Sequence, residues 1–312
     1  IFVSGNDVYV IWDDDTSGNA EILYRKSIDG GATFGSTVNL SNDAGTSRAP
    51  ALVVFGNNVY VVWSDDTAGN FEIYYRKSTD GGASFGSTVN LSNNGADSGS
   101  PALDVSGNNV YVVWDDFTPG STDIFLRKST DGGTSFGSTV NLSNSIGGSF
   151  TPAIVVSGNN VYVVWADETP GNSEIFLRKS TDGGSTFGST ANLSNNGGGS
   201  FQPAIAVSGN NVHVAWFDST FANTEILYRK STDRGSSFGS TANLSNDSGS
   251  SESPAIALSG NNVYVIWLDN TPGNFEILLR KSINAGATFG STINVSQNSG
   301  SSGLPGNSCI SR

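Results

Sequence analysis

The chain has 312 residues, 36% of them apolar and 10% aromatic, which is enough for a large buried core and excludes global disorder. Its 28 acids against 15 bases leave a net charge of -13, the wrong sign for nucleic acid, whose phosphates call for a basic stripe. No apolar run nears the roughly 20 residues of a membrane-spanning helix, so no membrane insertion is expected, and one Cys excludes a disulfide framework or a four-Cys zinc site.

The chain opens on Ile1-Phe2-Val3, neither an initiator Met nor a signal peptide, as a processed or excised piece would. Trp12, Trp63, Trp114, Trp165, Trp216 and Trp267 then follow one another at a step of 51 residues. Pro50, Pro101, Pro152, Pro203, Pro254 and Pro305 keep the same step, and six such repeats account for residues 1–306. Self-similarity at this period means an array of supersecondary units.

One repeat, Pro152 to Asn195, carries four strand signals and no helix signal. Pro152-Ala-Ile-Val-Val156 is a short apolar run, and Ser157-Gly-Asn-Asn160 is a two-residue hairpin signal. Val161-Tyr-Val-Val-Trp165 is β-branched and aromatic, as a buried strand should be. Beyond a polar loop, Glu174 to Ser180 forms a third strand, and Asp182-Gly-Gly184 turns the chain into a fourth that ends near Asn192-Leu-Ser194. Four antiparallel strands repeated six times predict an all-β, six-bladed β-propeller over 1–306, with 307–312 as a C-terminal tail and the two termini close together. A linear solenoid would need distinct capping repeats, and the end repeats look ordinary.

The third turn repeats as Ser-x-Asp-Gly-Gly-x-Thr/Ser-Phe, with Asp29, Asp80, Asp131, Asp182 and Asp233 at its centre. The last copy, Ser282-Ile-Asn284-Ala285, replaces Asp by Asn and one Gly by Ala. This hairpin resembles the Asp-box, the bacterial neuraminidase repeat of the sialidase-like propeller superfamily, with Phe where Trp is more usual. The whole repeat resembles those of secreted or surface proteins of archaea and bacteria. The resemblance implies the fold. An Asp that accepts turn N–H groups beside Gly at positive φ is a structural device, so these five Asp are expected to be structural.

Two recurrent acidic positions flank the loop between the second and third strands. Asp14, Asp65, Asp116, Asp167, Asp218 and Asp269 stand two residues after each Trp, and Glu21, Glu72, Asp123, Glu174, Glu225 and Glu276 open the third strand. Such hard oxygen ligands suit Ca²⁺, the candidate cofactor, but the spacing is not that of an EF-hand loop, and carboxylates that cap loop N–H groups are the preferred explanation. Twelve of the fifteen bases form Arg-Lys pairs in the third strands, where their stems would cover the sheet and their charges pair with the recurrent acids. The single His, His213, takes a slot held by Tyr in five repeats and is expected to pack there.

Differences between copies mark candidate ligand-binding positions: Arg48, Phe150, Phe201, Gln202 and Glu252 just before the recurrent Pro, Asp104 in a first strand, and Phe117 and Phe217 after Trp. Aromatics beside acids and amides could stack a sugar ring. Asn39, Asn90, Asn141, Asn192, Asn243 and Asn294 open Asn-x-Ser sequences that could accept glycans.

The resemblance also implies what a sialidase would need: an Arg triad for the sugar carboxylate, a Tyr/Glu nucleophile pair and an Asp acid. Outside the Arg-Lys pairs only Arg48, Arg234 and Arg312 remain, so that triad cannot be assembled. The expectation is therefore a non-catalytic extracellular or cell-surface propeller that recognises glycans or other surface proteins. The alternatives are an adhesive or self-associating module of a larger assembly, and a sialidase-like glycoside hydrolase.

Overall fold

The computed structural model describes residues 1–303 except 17, 119 and 221, so Pro305, the tail and the expected meeting of the termini lie outside the described residues. The described chain is all-β. It forms six four-stranded antiparallel sheets, the blades of a six-bladed β-propeller, each with its strands in sequence order. In blade 4 the strands are Ser149–Ser157, Asn160–Asp167, Glu174–Ser180 and Ala191–Asn192. The other full blades repeat these bounds at the step of 51, and blade 1 has the shorter first strand Phe2–Ser4.

The first strand starts three residues earlier than the apolar run. Pro152 does not end it, because a bulge between Phe150 and Ala153 absorbs the residue that cannot donate to the ladder. Ser157 pairs with Asn160 across the tight turn, and Gly158 takes φ 58° at its first central position, where a side chain would be strained. Val161 to Trp165 is at most 1% exposed at every position. Both sheet faces are covered there, which is why the strand is a continuous apolar run and does not alternate.

The described residues divide into two compact units at Ser145/Ile146. The first holds blades 1 to 3, with a core that includes Tyr9, Ile22, Tyr60, Trp63, Ile73 and Trp114. The second holds blades 4 to 6, with Tyr162, Ile175, Val214, Trp216 and Leu227 among its buried residues.

Neighbouring blades inside each unit are tied by arginine. Arg76 donates through Nη1 to the Leu40 carbonyl of the preceding blade (2.7 Å) and through Nε to Gly86 of its own hairpin (2.7 Å). Arg127 to Leu91 and Arg229 to Leu193 repeat the tie. Five lysines lie over tyrosine rings, Lys77 above Tyr60 at 5.5 Å. The expected pairing of these bases with the recurrent acids is thus corrected. A salt bridge forms between Lys26 and Asp7, at 2.8 Å, and Asp7 belongs to neither recurrent series.

Candidate functional site

The recurrent carboxylates sit at one end of each blade and are occupied by donors. Asp116 Oδ2 accepts from the Trp114 indole (3.1 Å), the Ser98 hydroxyl (2.8 Å) and Asn94 Nδ2 (2.7 Å), and Oδ1 accepts the Thr118 N–H (2.8 Å). Asp65, Asp218 and Asp269 do the same for Trp63, Trp216 and Trp267. A buried indole N–H requires such an acceptor, and the Asp two residues on supplies it. Those hydrogen bonds outweigh the burial of Asp116 and hold its carboxyl below the usual range.

The second acidic series caps the return loop. Glu72 accepts from Ser92 Oγ, from Asn70 Nδ2 (3.0 Å) and from the Asn94 N–H (2.9 Å), and Glu174 is held alike by Ser194, Asn172 and Asn196. Asp14 accepts the Thr16 N–H at 2.9 Å. The calcium expectation accordingly finds no ligand cage. Among the described residues no three His, Cys, Asp or Glu come together as a metal group. The Asn of each Asn-x-Ser also serves the fold, as Asn90 Oδ1 accepts the Asn93 N–H (2.8 Å) and Asn192 Oδ1 that of Asn195 (2.9 Å).

At the opposite blade end Asp80 accepts from Ser78 Oγ (2.7 Å), Ser84 N–H (2.9 Å) and Ser84 Oγ (2.6 Å), which hold it far below the carboxylate range. Asn284 accepts from Ser282 and Thr288 in the same way, so the sixth hairpin closes without the charge.

The positions that differ between copies gather around the bulge. Ala49, Ser100, Thr151, Gln202 and Ser253 all have positive φ, between 47° and 54°. Recurring in five blades, that strain is architectural; its effect is to re-aim the residue before it. Those preceding residues are Arg48, Gly99, Phe150, Phe201 and Glu252, and all but Gly99 are among the predicted candidates. Arg48 is exposed, with its guanidinium 3.6 Å from the centre of the Phe71 ring. Gly99 pairs with Asp115, and a Cβ on Gly99 would stand 2.9 Å from Asp115 Oδ1. Asp115 follows Trp114 and, like Phe117, is one of the residues after Trp that differ between copies. The signal for it was Gly99 on one strand and an acid on the next, at positions that carry Arg48 with Ser64 or Phe150 with Ala166 elsewhere.

Phe201 pairs with Phe217, and their rings stack at 5.3 Å and 29°. Phe117 lies on the second-to-third strand loop, 52% exposed. Asp104 is 7% exposed in the first strand of blade 3, where it accepts the Val105 N–H at 2.7 Å. His213 packs in the Tyr slot as expected, with Nδ1 2.6 Å from the Tyr228 hydroxyl.

The six-bladed propeller fold is shared with solved sialidases and arabinofuranosidases. A sialidase of Trypanosoma rangeli, solved in complex with 2,3-difluorosialic acid as a covalent intermediate, is similar over 89% of this chain at TM-score 0.57 and 14% identity. This chain spans about half of that sialidase, 52%. A mutant α-L-arabinofuranosidase of Fusarium graminearum, in complex with an iminosugar inhibitor, is similar over 64% of this chain and 67% of its own, at TM-score 0.50 and 14% identity. No family model and no curated protein matches the sequence.

These neighbours correct two expectations, that the propeller is a non-catalytic binding or scaffold module and that it is no enzyme. The solved proteins named above are glycoside hydrolases, and the hydrolase alternative is the one they favour. The missing Arg triad excluded one substrate chemistry only, whereas one fold hosts several.

Proposed function

We propose that the chain is a carbohydrate-processing propeller, a glycoside hydrolase whose acid chemistry lies on the carboxylates that break the repeat. The observation that carries this is Asp104. Five blades place Phe2, Val53, Val155, Ala206 or Ala257 at its position, so the fold does not need a carboxylate there. A buried carboxylate where the other copies carry apolar residues is a departure of the kind that functional groups make.

Hydrolysis of a glycosidic bond uses two carboxyl groups about 5–9.5 Å apart in different roles. Asp104 pairs with Tyr111, and Asp115 lies four residues further along that strand, about 13 Å away at the usual rise per residue. The two are too far apart to work as a pair with each other. Each candidate therefore needs a second carboxylate from elsewhere, and for Asp115 the acid at the same register within its own unit is Asp13 of blade 1. We also take the Ser-x-Asp-Gly-Gly hairpins as Asp-boxes and the setting as extracellular or cell-surface, on the resemblance of the repeat.

The test is release of nitrophenol from a panel of aryl arabinofuranosides, xylosides, galactosides and sialosides. One substrate class is expected to turn over. Asp104→Val, which restores the residue type of the other blades, is expected to lose at least about a hundredfold in kcat while its Tm holds or rises. Absence of turnover on every substrate, or full activity in Asp104→Val, would sink the proposal.

A further inference from the structure

Blade 5 differs from the others at its loop-rich end by exposing two aromatic rings to each other. Phe201 on its first strand and Phe217 on its second are both half-buried. The ring of Phe201 folds back over the loop that leads into its strand, and this fixes the loop residue two positions earlier. A Cβ on Gly199 would lie 2.6 Å from the Phe201 ring. Blade 4 repeats the device, with a Cβ on Gly148 falling 2.3 Å from the ring of Phe150. The copies without a Phe carry Thr46, Asp97 and Ser250 at the glycine position. Gly and Phe thus occur together in both places, so the ring position is built into the loop.

Polar groups stand at the edge of this aromatic surface. Gln202 is exposed, held at φ 47° by the bulge, and its Oε1 accepts the Ser253 hydroxyl at 3.0 Å, which leaves Nε2 to donate. Glu252 precedes Ser253 and is half-buried. An apolar surface bordered by an amide donor and a carboxylate acceptor matches a sugar ring, which has C–H groups on its face and hydroxyls at its rim. The charge of the ligand follows from the cations. In blades 5 and 6 the described cations are Arg229, Lys230, Arg234, Arg280 and Lys281, all on third strands or the hairpin after them. The platform residues themselves carry only negative charge.

We propose that Phe201 and Phe217 form a stacking platform for an uncharged sugar ring, with Gln202 and Glu252 holding its hydroxyls. This rests on the reading of the chain as a carbohydrate-processing propeller and names the substrate class, neutral rather than carboxylated.

The test is calorimetric titration of Asp104→Val, so that no bound sugar is cleaved, with arabino-, xylo- and cello-oligosaccharides and with sialyllactose. At least one neutral series is expected to bind, and sialyllactose is not. Adding Phe201→Ala or Phe217→Ala should weaken binding about tenfold or more, whereas Phe201→Tyr should keep it. Unchanged Tm in each variant separates a lost contact from a damaged blade. The platform is overturned if no neutral sugar binds, if both alanine variants bind like the parent, or if sialyllactose binds better than the neutral sugars. Turnover by the wild-type chain is scored separately. Phe201-dependent binding without turnover removes the hydrolase reading alone; turnover with binding indifferent to Phe201 removes the platform alone.

Discussion

The two ends of a blade obey different rules. At the hairpin end, Ser78–Asp80–Ser84 and Ser129–Asp131–Ser135 make the same hydrogen bonds at the same lengths, and the Asn284 copy closes the same turn without a charge, with one bond reversed so that Asn284 Nδ2 donates to Thr288 Oγ1. At the loop-rich end a shared scaffold, the Trp–Asp–Ser hub and the bulge before Pro, carries residues that vary between blades. Repetition thus marks what the fold needs. Departure from it, where the scaffold re-aims a side chain, marks what the fold can do without.

The sharpest way to break this comparison is to remove a shared element of the loop-rich end. Asp116→Ala leaves the Trp114 indole, the Ser98 hydroxyl, the Thr118 N–H and Asn94 Nδ2 without their acceptor. Buried unsatisfied groups cost about 1–3 kcal/mol each, so the loss should reach roughly 3–5 kcal/mol, with Asp116→Asn falling between. Denaturant unfolding measures it. A loss under about 1 kcal/mol would show that the hub is not what holds this end together.

A smaller effect should appear where one blade departs inside its core. His213 is buried, its Nδ1 meets the Tyr228 hydroxyl, and desolvation lowers its pKa to about 4. The unfolded chain binds the proton near pH 6.5, so between about 6.5 and 4 the unfolded state carries more protons and stability falls as pH falls. The limit is about 3 kcal/mol, from a shift of roughly 2.5 units at 1.36 kcal/mol each. His213→Tyr copies the Tyr60 with Tyr75 arrangement of blade 2 and should flatten that slope in pH-dependent unfolding. An unchanged slope would place the acid sensitivity elsewhere.

The fold was legible because its signals repeat. Trp, Pro and the Gly-Asn turn recur at one step, and strand bounds followed to within a few residues. The bulge was not, since a Pro reads as a strand start unless the partner strand is known. The site was legible in part. Arg48, Phe150, Phe201 and Glu252 stood out as departures, and the bulge shows why these positions vary freely. Asp115 is visible as a departure after Trp114, but its link to Gly99 across the ladder is a pairing no linear scan displays. The role of the recurrent acids was not legible, because the donors that occupy them, such as Ser98 for Asp116, lie 18 residues away in sequence.

The smallest predicted effect concerns a departure that the shared hub tolerates poorly. Blades 2 and 4 end in Asn94 and Asn196, which donate to Asp116 and Asp218 at 2.7 Å each. Blades 1 and 5 have Asp43 and Asp247 there, which instead bring a second carboxyl against Asp65 and Asp269. Burial, and then the neighbouring carboxylate, raise both above the usual range. A raised folded-state pKa means stability present at acid pH and lost as pH rises through it. Asp43→Asn and Asp247→Asn should therefore stabilise the chain at pH 7 by up to about 1 kcal/mol each, and by less near pH 4. Thermal unfolding at the two pH values decides it. Stabilisation that is equal at both, or loss of stability at pH 7, would mean that the acids at these two positions are already paired as well as the asparagines are.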